Sequence, residues 1–131
     1  FSRGDIQTQA DDFGLWVSQG RVGAFFNYPD TRMGQMAMSR SPLPAQRWLH
    51  LGFTWDEKTI TFFVDGKEDG ESPVTGMGIP NKKGTKAWVG SNPPGGNEFY
   101  MGPIGSVVVY SRALAGIEVQ QLYMGTRIKF R

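Results

Sequence analysis

The sequence contains no cysteine, and this absence excludes a disulfide framework, a cysteine-ligated zinc site and a cysteine nucleophile. It also has no apolar run near the roughly 18 residues that a membrane-spanning helix needs. An excess of charge is lacking too, because 14 Lys and Arg residues against 12 Asp and Glu residues give a net charge of +2. The basic residues form no dense stripe, so the composition argues against nucleic acid as a partner.

Length and hydrophobic content indicate a single domain. The chain has 131 residues, of which 39% are hydrophobic and 13% aromatic. This is enough apolar material for one domain with its own core, and the chain is too short for several. Glycine is abundant, with 18 residues, and is expected mainly in turns. The chain begins with Phe1 rather than Met, which predicts a piece of a longer polypeptide.

Alternation of apolar and polar side chains predicts that most of the chain is β-strand. In residues 48–55, Leu49, Leu51, Phe53 and Trp55 share one face, which is the period of two of a pleated strand. Further strands are predicted at residues 13–18, 21–27, 34–39, 59–64, 67–72, 86–90 and 104–110, and residues 127–131 are compatible with a closing strand. Asp65-Gly66 supplies the chemistry of a tight turn between two of them.

One segment departs from the strand pattern. Residues 114–123 are good helix formers and place Ile117, Leu122 and Tyr123 near one side, which predicts a short helix docked through Leu122 and Tyr123. Glu118 stands three residues after Ala115, so the helix start has the acidic half of a capping box without the capping hydroxyl. Short strands followed by one helix predict an all-β antiparallel sandwich.

The order of several short motifs is similar to that of a known family. The motifs are Trp48, His50, Thr54 and Asp56, then Phe63-Val64-Asp65-Gly66, Val89-Gly90-Ser91, Gly102, Ile104 and Tyr110, and finally Arg112-Ala113-Leu114, Glu118, Leu122 and Tyr123. They resemble the laminin-G-like branch of the concanavalin A-like lectin/glucanase superfamily. The resemblance implies an antiparallel jelly-roll β-sandwich with one short C-terminal helix. Residues 1–131 are then expected to form a single domain, and it stays open whether the family's first strand is included.

The resemblance implies a binding module more readily than an enzyme. Members of the superfamily are commonly carbohydrate-binding or protein-binding modules of secreted enzymes and adhesins, and some branches are glycoside hydrolases. Glycoside hydrolysis needs two carboxylates about 5 to 10 Å apart, whereas the acidic residues here cluster in predicted turns and on a polar edge. His50, the single histidine, is expected to be a hydrogen-bonded strand residue. No enzyme activity is therefore expected, and no catalytic residue is assigned.

The resemblance also implies that a calcium ion could bind on the rim of the sandwich. We do not expect such a calcium site in this chain. Asp65 could donate a carboxylate to such an ion, but an Asp-Gly pair is also what a tight hairpin needs. The family's late strand often has acids just after the isoleucine, where this chain has Gly105 and Ser106. A calcium site could form from other residues only if the fold brought together the loops that contain Asp30, Asp56, Asn97 and Glu98. We expect no metal site and no cofactor.

Sugar recognition needs an exposed aromatic face beside side chains that hydrogen-bond hydroxyl groups, and two loops have that composition. The candidate ligand-binding residues are Asn27, Tyr28 and Asp30 in the earlier loop and Asn92, Asn97, Glu98 and Tyr100 in the later one. The four tryptophans, Trp16, Trp48, Trp55 and Trp88, lie in predicted strands and are expected in the core. Arg3-Gly4-Asp5 matches a tripeptide that adhesion receptors read, but three residues are too few to support a function.

The predicted function is that of a non-enzymatic, lectin-like carbohydrate-binding module of a larger secreted protein, extracellular or periplasmic. Two alternatives stay open: a protein–protein interaction or adhesion module of the same fold, and a structural accessory domain of a glycoside-active enzyme. The expected partner is a glycan or an extracellular protein. Neither nucleic-acid binding nor membrane insertion is expected.

Overall fold

The computed structural model describes residues 1–5, 10–27, 34–74, 86–91 and 99–129. Within these ranges, eight strands and one helix are present. They are β1 (Ser2–Asp5), β2 (Ala10–Ser18), β3 (Arg21–Asn27), β4 (Gly34–Met38), β5 (Leu51–Trp55), β6 (Thr59–Val64), β7 (Lys67–Pro73), β8 (Lys86–Trp88) and α1 (Gly116–Lys129). The strands predicted before residue 91 are confirmed, with ends shifted by a few residues. Strand β1, which contains Arg3-Gly4-Asp5, was not predicted.

The strands form two antiparallel sheets. One sheet has the order β4-β3-β2-β1-β8 and the other has the order β5-β6-β7. The inward-facing side chains of both sheets share one core, with Val22, Ala24 and Phe26 from β3 and Ile60 and Phe62 from β6. The predicted antiparallel β-sandwich is therefore confirmed.

Phe26 is the aromatic centre of this core. Its side chain is 1% exposed. Its ring lies 5.5 Å from the ring of Phe53, edge to face, and 5.1 Å from the ring of Trp55, and both of these residues belong to the opposite sheet. Aromatic pairs of this kind stabilise a core beyond the area that they bury. Phe26 therefore connects the two sheets.

The turn between β6 and β7 has the conformation that an Asp-Gly pair favours. Asp65 has a φ of 52° and Gly66 a φ of 74°, and a type I′ turn requires positive φ at both central residues. The Asp65 backbone N donates a hydrogen bond to the His50 carbonyl oxygen (2.7 Å), and the Asp65 Oδ1 accepts one from the His50 backbone N (3.0 Å). The turn is thereby attached to the chain that enters β5.

The predicted strand at residues 104–110 is wrong. Described residues 103–110 have no regular secondary structure, and the five large apolar side chains in this segment are 42% to 66% exposed. Its β-branched residues favour extended backbone, but a strand forms only where a neighbour accepts and donates the ladder hydrogen bonds. Among the described strands, none pairs with this segment.

The closing strand considered for residues 127–131 is also wrong, because residues 127–129 belong to α1. Residues 130 and 131 lie outside the described residues. A short stretch in which basic and apolar residues alternate is compatible with a strand and with a helix end, so the pattern does not decide between them.

Helix α1 docks through residues that differ in part from the prediction. Val119 is 5% exposed and Tyr123 is half-buried, whereas Leu122 is 37% exposed. The Tyr123 side chain lies against Gly66, where an added Cβ would be 2.8 Å from the Tyr123 Cβ. The helix therefore packs on the β6–β7 turn through Tyr123 and Gln120, Val119 is buried as well, and the predicted docking through Leu122 is wrong.

The start of α1 has half of a capping box, as the sequence indicates. The Glu118 carboxylate accepts a hydrogen bond from the Ala115 backbone N (2.8 Å) and two from the Arg112 guanidinium (2.6 and 2.8 Å). These bonds, first those from Arg112, lower the pKa of Glu118 to about 2. Glu118 is therefore ionised throughout the physiological range and fixes the segment before the helix.

Restoring the missing half of the box is expected to stabilise the domain. Ala115→Ser places a hydroxyl where the helix has orphan backbone N–H groups, and such caps contribute about 1 kcal/mol. Urea denaturation of both proteins measures the gain. Ala113→Ser, two residues earlier and outside the capping position, serves as the control and is expected to change the free energy of unfolding little. Equal effects of the two substitutions would contradict the assignment of the cap.

Candidate functional site

The outer face of the five-stranded sheet presents aromatic side chains. Because side chains alternate along a strand, Val22, Ala24 and Phe26 facing the core place Phe25 on the outer face of β3. The ring of Phe25 lies near that of Trp16 on β2, and both side chains are partly exposed. The two rings have centroids 5.4 Å apart and planes inclined at 41°. The expectation that Trp16 belongs to the core is therefore wrong.

Two glycines allow these rings to lie against the sheet. Trp16 pairs with Gly23, and Phe25 pairs with Gly14. A Cβ at Gly23 would lie 2.7 Å from the Trp16 ring, and one at Gly14 would lie 2.6 Å from the Phe25 ring. Real Cβ atoms do not approach so closely, so each ring covers the backbone of its paired glycine and would have to move if a Cβ were added there. Such coverage fixes the orientation of the rings.

Met36 extends this surface on β4. It pairs with Phe25 and is 72% exposed. Trp16, Phe25 and Met36 together form a surface on three neighbouring strands that we call the aromatic platform. Partly exposed aromatic rings of this kind can bind the apolar face of a ring-shaped ligand, and the indole N–H group of a tryptophan can add a hydrogen bond. The pairing of tryptophan and phenylalanine with glycine depends on the strand register, so the sequence alone carries no clear signal for this platform.

The sequence-based site residues lie mostly outside the described residues. Those outside are Tyr28, Asp30, Asn92, Asn97 and Glu98. Asn27 ends β3, where its backbone pairs with Gly34. Tyr100 is 55% exposed, and its backbone N donates a hydrogen bond to the Gly90 carbonyl oxygen (2.9 Å). The proposed sugar contacts of these residues stay predictions.

The other tryptophans occupy different environments. Trp55 lies against Phe26 in the core, with its Nε1 buried and without a hydrogen-bond partner among the described residues. Trp48 is 57% exposed and precedes β5, so its expected place in the core is wrong. It comes before the point where backbone pairing with β6 begins, at Leu51 and Val64. Trp88, on β8, is half-buried.

A pocket of about 420 Å³ lies beside the β6–β7 turn. We call it the turn pocket, and its lining residues are Val64, Asp65, Lys67, Gln120, Tyr123 and Met124. The Asp65 carboxylate already has partners for both oxygens, because Oδ1 accepts from the His50 backbone N and Oδ2 pairs with the Arg47 Nη2 at 2.5 Å. The expected tight-turn role of Asp65 thus agrees with its contacts.

His50 lies next to this turn, just before β5. Its ring centroid is 5.9 Å from that of Tyr123, and its Nδ1 is buried with no hydrogen-bond partner among the described residues. The hydrogen bonds of His50 given above involve its backbone. The predicted side-chain hydrogen bond of this histidine is therefore not found at Nδ1 among the described residues. Burial lowers the pKa of His50, and the Asp65 charge opposes this in part. The folded domain therefore favours the neutral imidazole.

A groove of about 260 Å³ on the outer face of the three-stranded sheet contains several acidic residues. Its carboxylates are Asp56, Glu68 and Glu71. Asp56 Oδ1 accepts hydrogen bonds from the Lys58 and Thr59 backbone N atoms, and these bonds lower its pKa. Asp56 therefore stabilises the β5–β6 turn. Among the described residues, no group of three or more His, Cys, Asp or Glu side chains could hold a metal ion.

The family comparison agrees with this architecture. The model of a laminin-G-type family, described as the concanavalin A-like lectin/glucanases superfamily, matches residues 1–120. The chain belongs to this superfamily. The match includes every described strand and ends within α1, so the aromatic platform and the β6–β7 turn both lie inside the concanavalin A-like region.

A solved structure has a similar fold. It is a crystal structure of an S-layer domain-containing protein from Clostridium thermocellum, with 21% sequence identity and a TM-score of 0.54. The similarity covers 79% of this concanavalin A-like chain and 52% of the other, so the chain spans about half the length of that neighbour. No curated protein matches the chain. The described part of the chain has no helix that meets the length and hydropathy needed to cross a membrane.

Proposed function

We propose that this domain is a non-enzymatic carbohydrate-binding module that binds glycans on its aromatic platform. The observation behind this proposal is the pair of rings, Trp16 and Phe25, held against Gly23 and Gly14 on the outer face of the five-stranded sheet. Glycan rings have apolar faces that pack on such a surface, while their hydroxyl groups point to the rim. Superfamily membership supports this function, since the superfamily includes lectins.

The proposed location is the cell surface or the extracellular or periplasmic space, within a longer protein. Support comes from the similar fold of the S-layer domain-containing protein. The absence of cysteine is compatible with this location, because two packed sheets stabilise the domain without disulfides.

A second candidate is a protein-interaction or adhesion module. It is favoured by the apolar segment from Phe99 to Tyr110, which contains no charged residue and exposes Phe99 by 65%, Met101 by 93% and Val108 by 66%. Contiguous exposed apolar surface of this kind is typical of interfaces between proteins. On this alternative the aromatic platform would not be needed for binding.

A glycan array followed by titration of the best ligand tests the proposal. Trp16→Ala is expected to weaken glycan binding about tenfold to a hundredfold, since a buried tryptophan in a contact surface contributes roughly 1.5–3 kcal/mol. Gly23→Ala is a second variant, because its Cβ displaces the Trp16 ring without removing it. It is expected to weaken binding in the same direction.

Trp48→Ala is the matched control, because Trp48 is also exposed but lies in the segment that leads into the other sheet. It is expected to leave the affinity for a neutral glycan unchanged. The proposal is contradicted if the folded domain binds no glycan on the array, or if Trp16→Ala and Trp48→Ala bind equally well.

A further inference from the structure

The turn pocket combines an apolar wall with hydrogen-bond donors. Tyr123 and Met124 of α1 and Val64 of β6 provide the apolar surface, and Lys67 and Gln120 provide an ammonium and an amide group. These groups come from three elements, β6, β7 and α1, that meet at the β6–β7 turn. The pocket belongs to the three-stranded sheet, whereas the aromatic platform belongs to the five-stranded one.

The charges around this pocket leave one cation without a counterion. Asp65, the acidic residue of the lining, is neutralised by Arg47. Lys67 is exposed and has no ion-pair partner among the described residues. Glu68 follows Lys67 but lines the groove on the outer face of the sheet, as expected from the alternation along a strand. An anionic ligand would therefore complete the charge balance of the pocket.

The lining also limits the shape of that ligand. A volume of about 420 Å³ admits a small ring with its substituents, and the Tyr123 ring offers the aromatic face on which an apolar ring surface packs. The Gln120 amide can donate a hydrogen bond beside the Lys67 ammonium. A carboxylate on a sugar-sized ring matches this set of groups, because charge-assisted bonds to a carboxylate are the strongest that these donors make.

We propose that the turn pocket binds the carboxylate-bearing ring of an acidic sugar, a uronate unit, with Lys67 and Gln120 on the carboxylate and Tyr123 on the apolar face. This inference extends the proposed function to a second site and a charged ligand, and the two sites are tested separately. Raising the ionic strength is expected to weaken this binding, since salt screens an exposed ion pair.

Calorimetric titration with trigalacturonate and with its fully methyl-esterified form tests the inference. The ester has the same ring carbons but no charge. The domain is expected to bind the acid, and the ester about tenfold to a hundredfold more weakly, which is the range of a hydrogen bond to a charged group. Lys67→Met is expected to reduce the affinity for the acid to that for the ester.

Lys58→Met is the matched control, because Lys58 is also an exposed lysine but lies in the β5–β6 turn, at the opposite end of β6. It is expected to leave binding unchanged. Equal binding of acid and ester, no binding of the acid, or equal losses in both lysine variants would overturn the inference.

Trp16→Ala separates the two sites. This variant is expected to lose binding of neutral glycans and to keep binding of the uronate. If the unsubstituted domain binds the uronate but no neutral glycan, the proposed function of the aromatic platform is refuted and the turn-pocket inference stands.

Discussion

Replacing Phe26 with alanine is expected to destabilise the domain by about 3–5 kcal/mol, the range for removing a buried phenylalanine from a core. The side chain is 1% exposed and contacts Phe53 and Trp55 of the opposite sheet, so its loss leaves a cavity between the sheets. Small domains have a total stability of about 5–15 kcal/mol. Urea denaturation followed by tryptophan fluorescence measures the change.

Phe25→Ala is the matched control for this prediction. It removes the same side chain from the adjacent position of the same strand, but from the outer face, where the ring is partly exposed. The expected cost is about 1 kcal/mol, since little core volume is lost. Phe25→Ala is expected to weaken glycan binding instead, because the ring belongs to the aromatic platform. Similar losses of stability in both variants would show that the assignment of the two faces is wrong.

The features predicted correctly from sequence are those fixed by neighbouring residues. Strands β5 and β6 follow from strict alternation over short segments, and the Asp65-Gly66 turn follows from the backbone preferences of two residues. Glu118 and Ala115 are three residues apart, so the half capping box is also local. Each of these interactions depends on residues close in the chain, and sequence patterns record them directly.

The features that sequence analysis missed depend on the choice of a distant partner. Residues 104–110 have strand-forming side chains, but whether they join a sheet depends on a neighbour that no local pattern specifies. The sequence favours the core for Trp16, because a tryptophan in a half-buried sheet is more often in the core than on the outer face. The register that pairs Trp16 with Gly23 decides the face, and this register becomes visible only in the folded sheet.

Replacing Gly66 with alanine is expected to cost about 2–5 kcal/mol, because two effects add. The φ of 74° at Gly66 is in the left-handed region, which costs an alanine roughly 1–2 kcal/mol. The new Cβ would also lie 2.8 Å from the Tyr123 Cβ and 3.2 Å from the Gln120 Cα, so α1 must shift away from the turn. Overpacking of this kind typically costs 1–3 kcal/mol, about as much as the backbone strain.

Gly20→Ala separates the two contributions to this cost. Gly20 has a φ of 70°, close to that of Gly66, and an added Cβ there has no atom within 4 Å. Gly20→Ala should therefore show the backbone strain alone, and the excess cost of Gly66→Ala measures the contact with α1. Urea denaturation gives both free energies, and far-ultraviolet circular dichroism is expected to show a loss of helix in Gly66→Ala only. Equal costs would mean that α1 does not rest on the turn, and would remove the α1 side of the turn pocket, where Gln120 and Tyr123 lie.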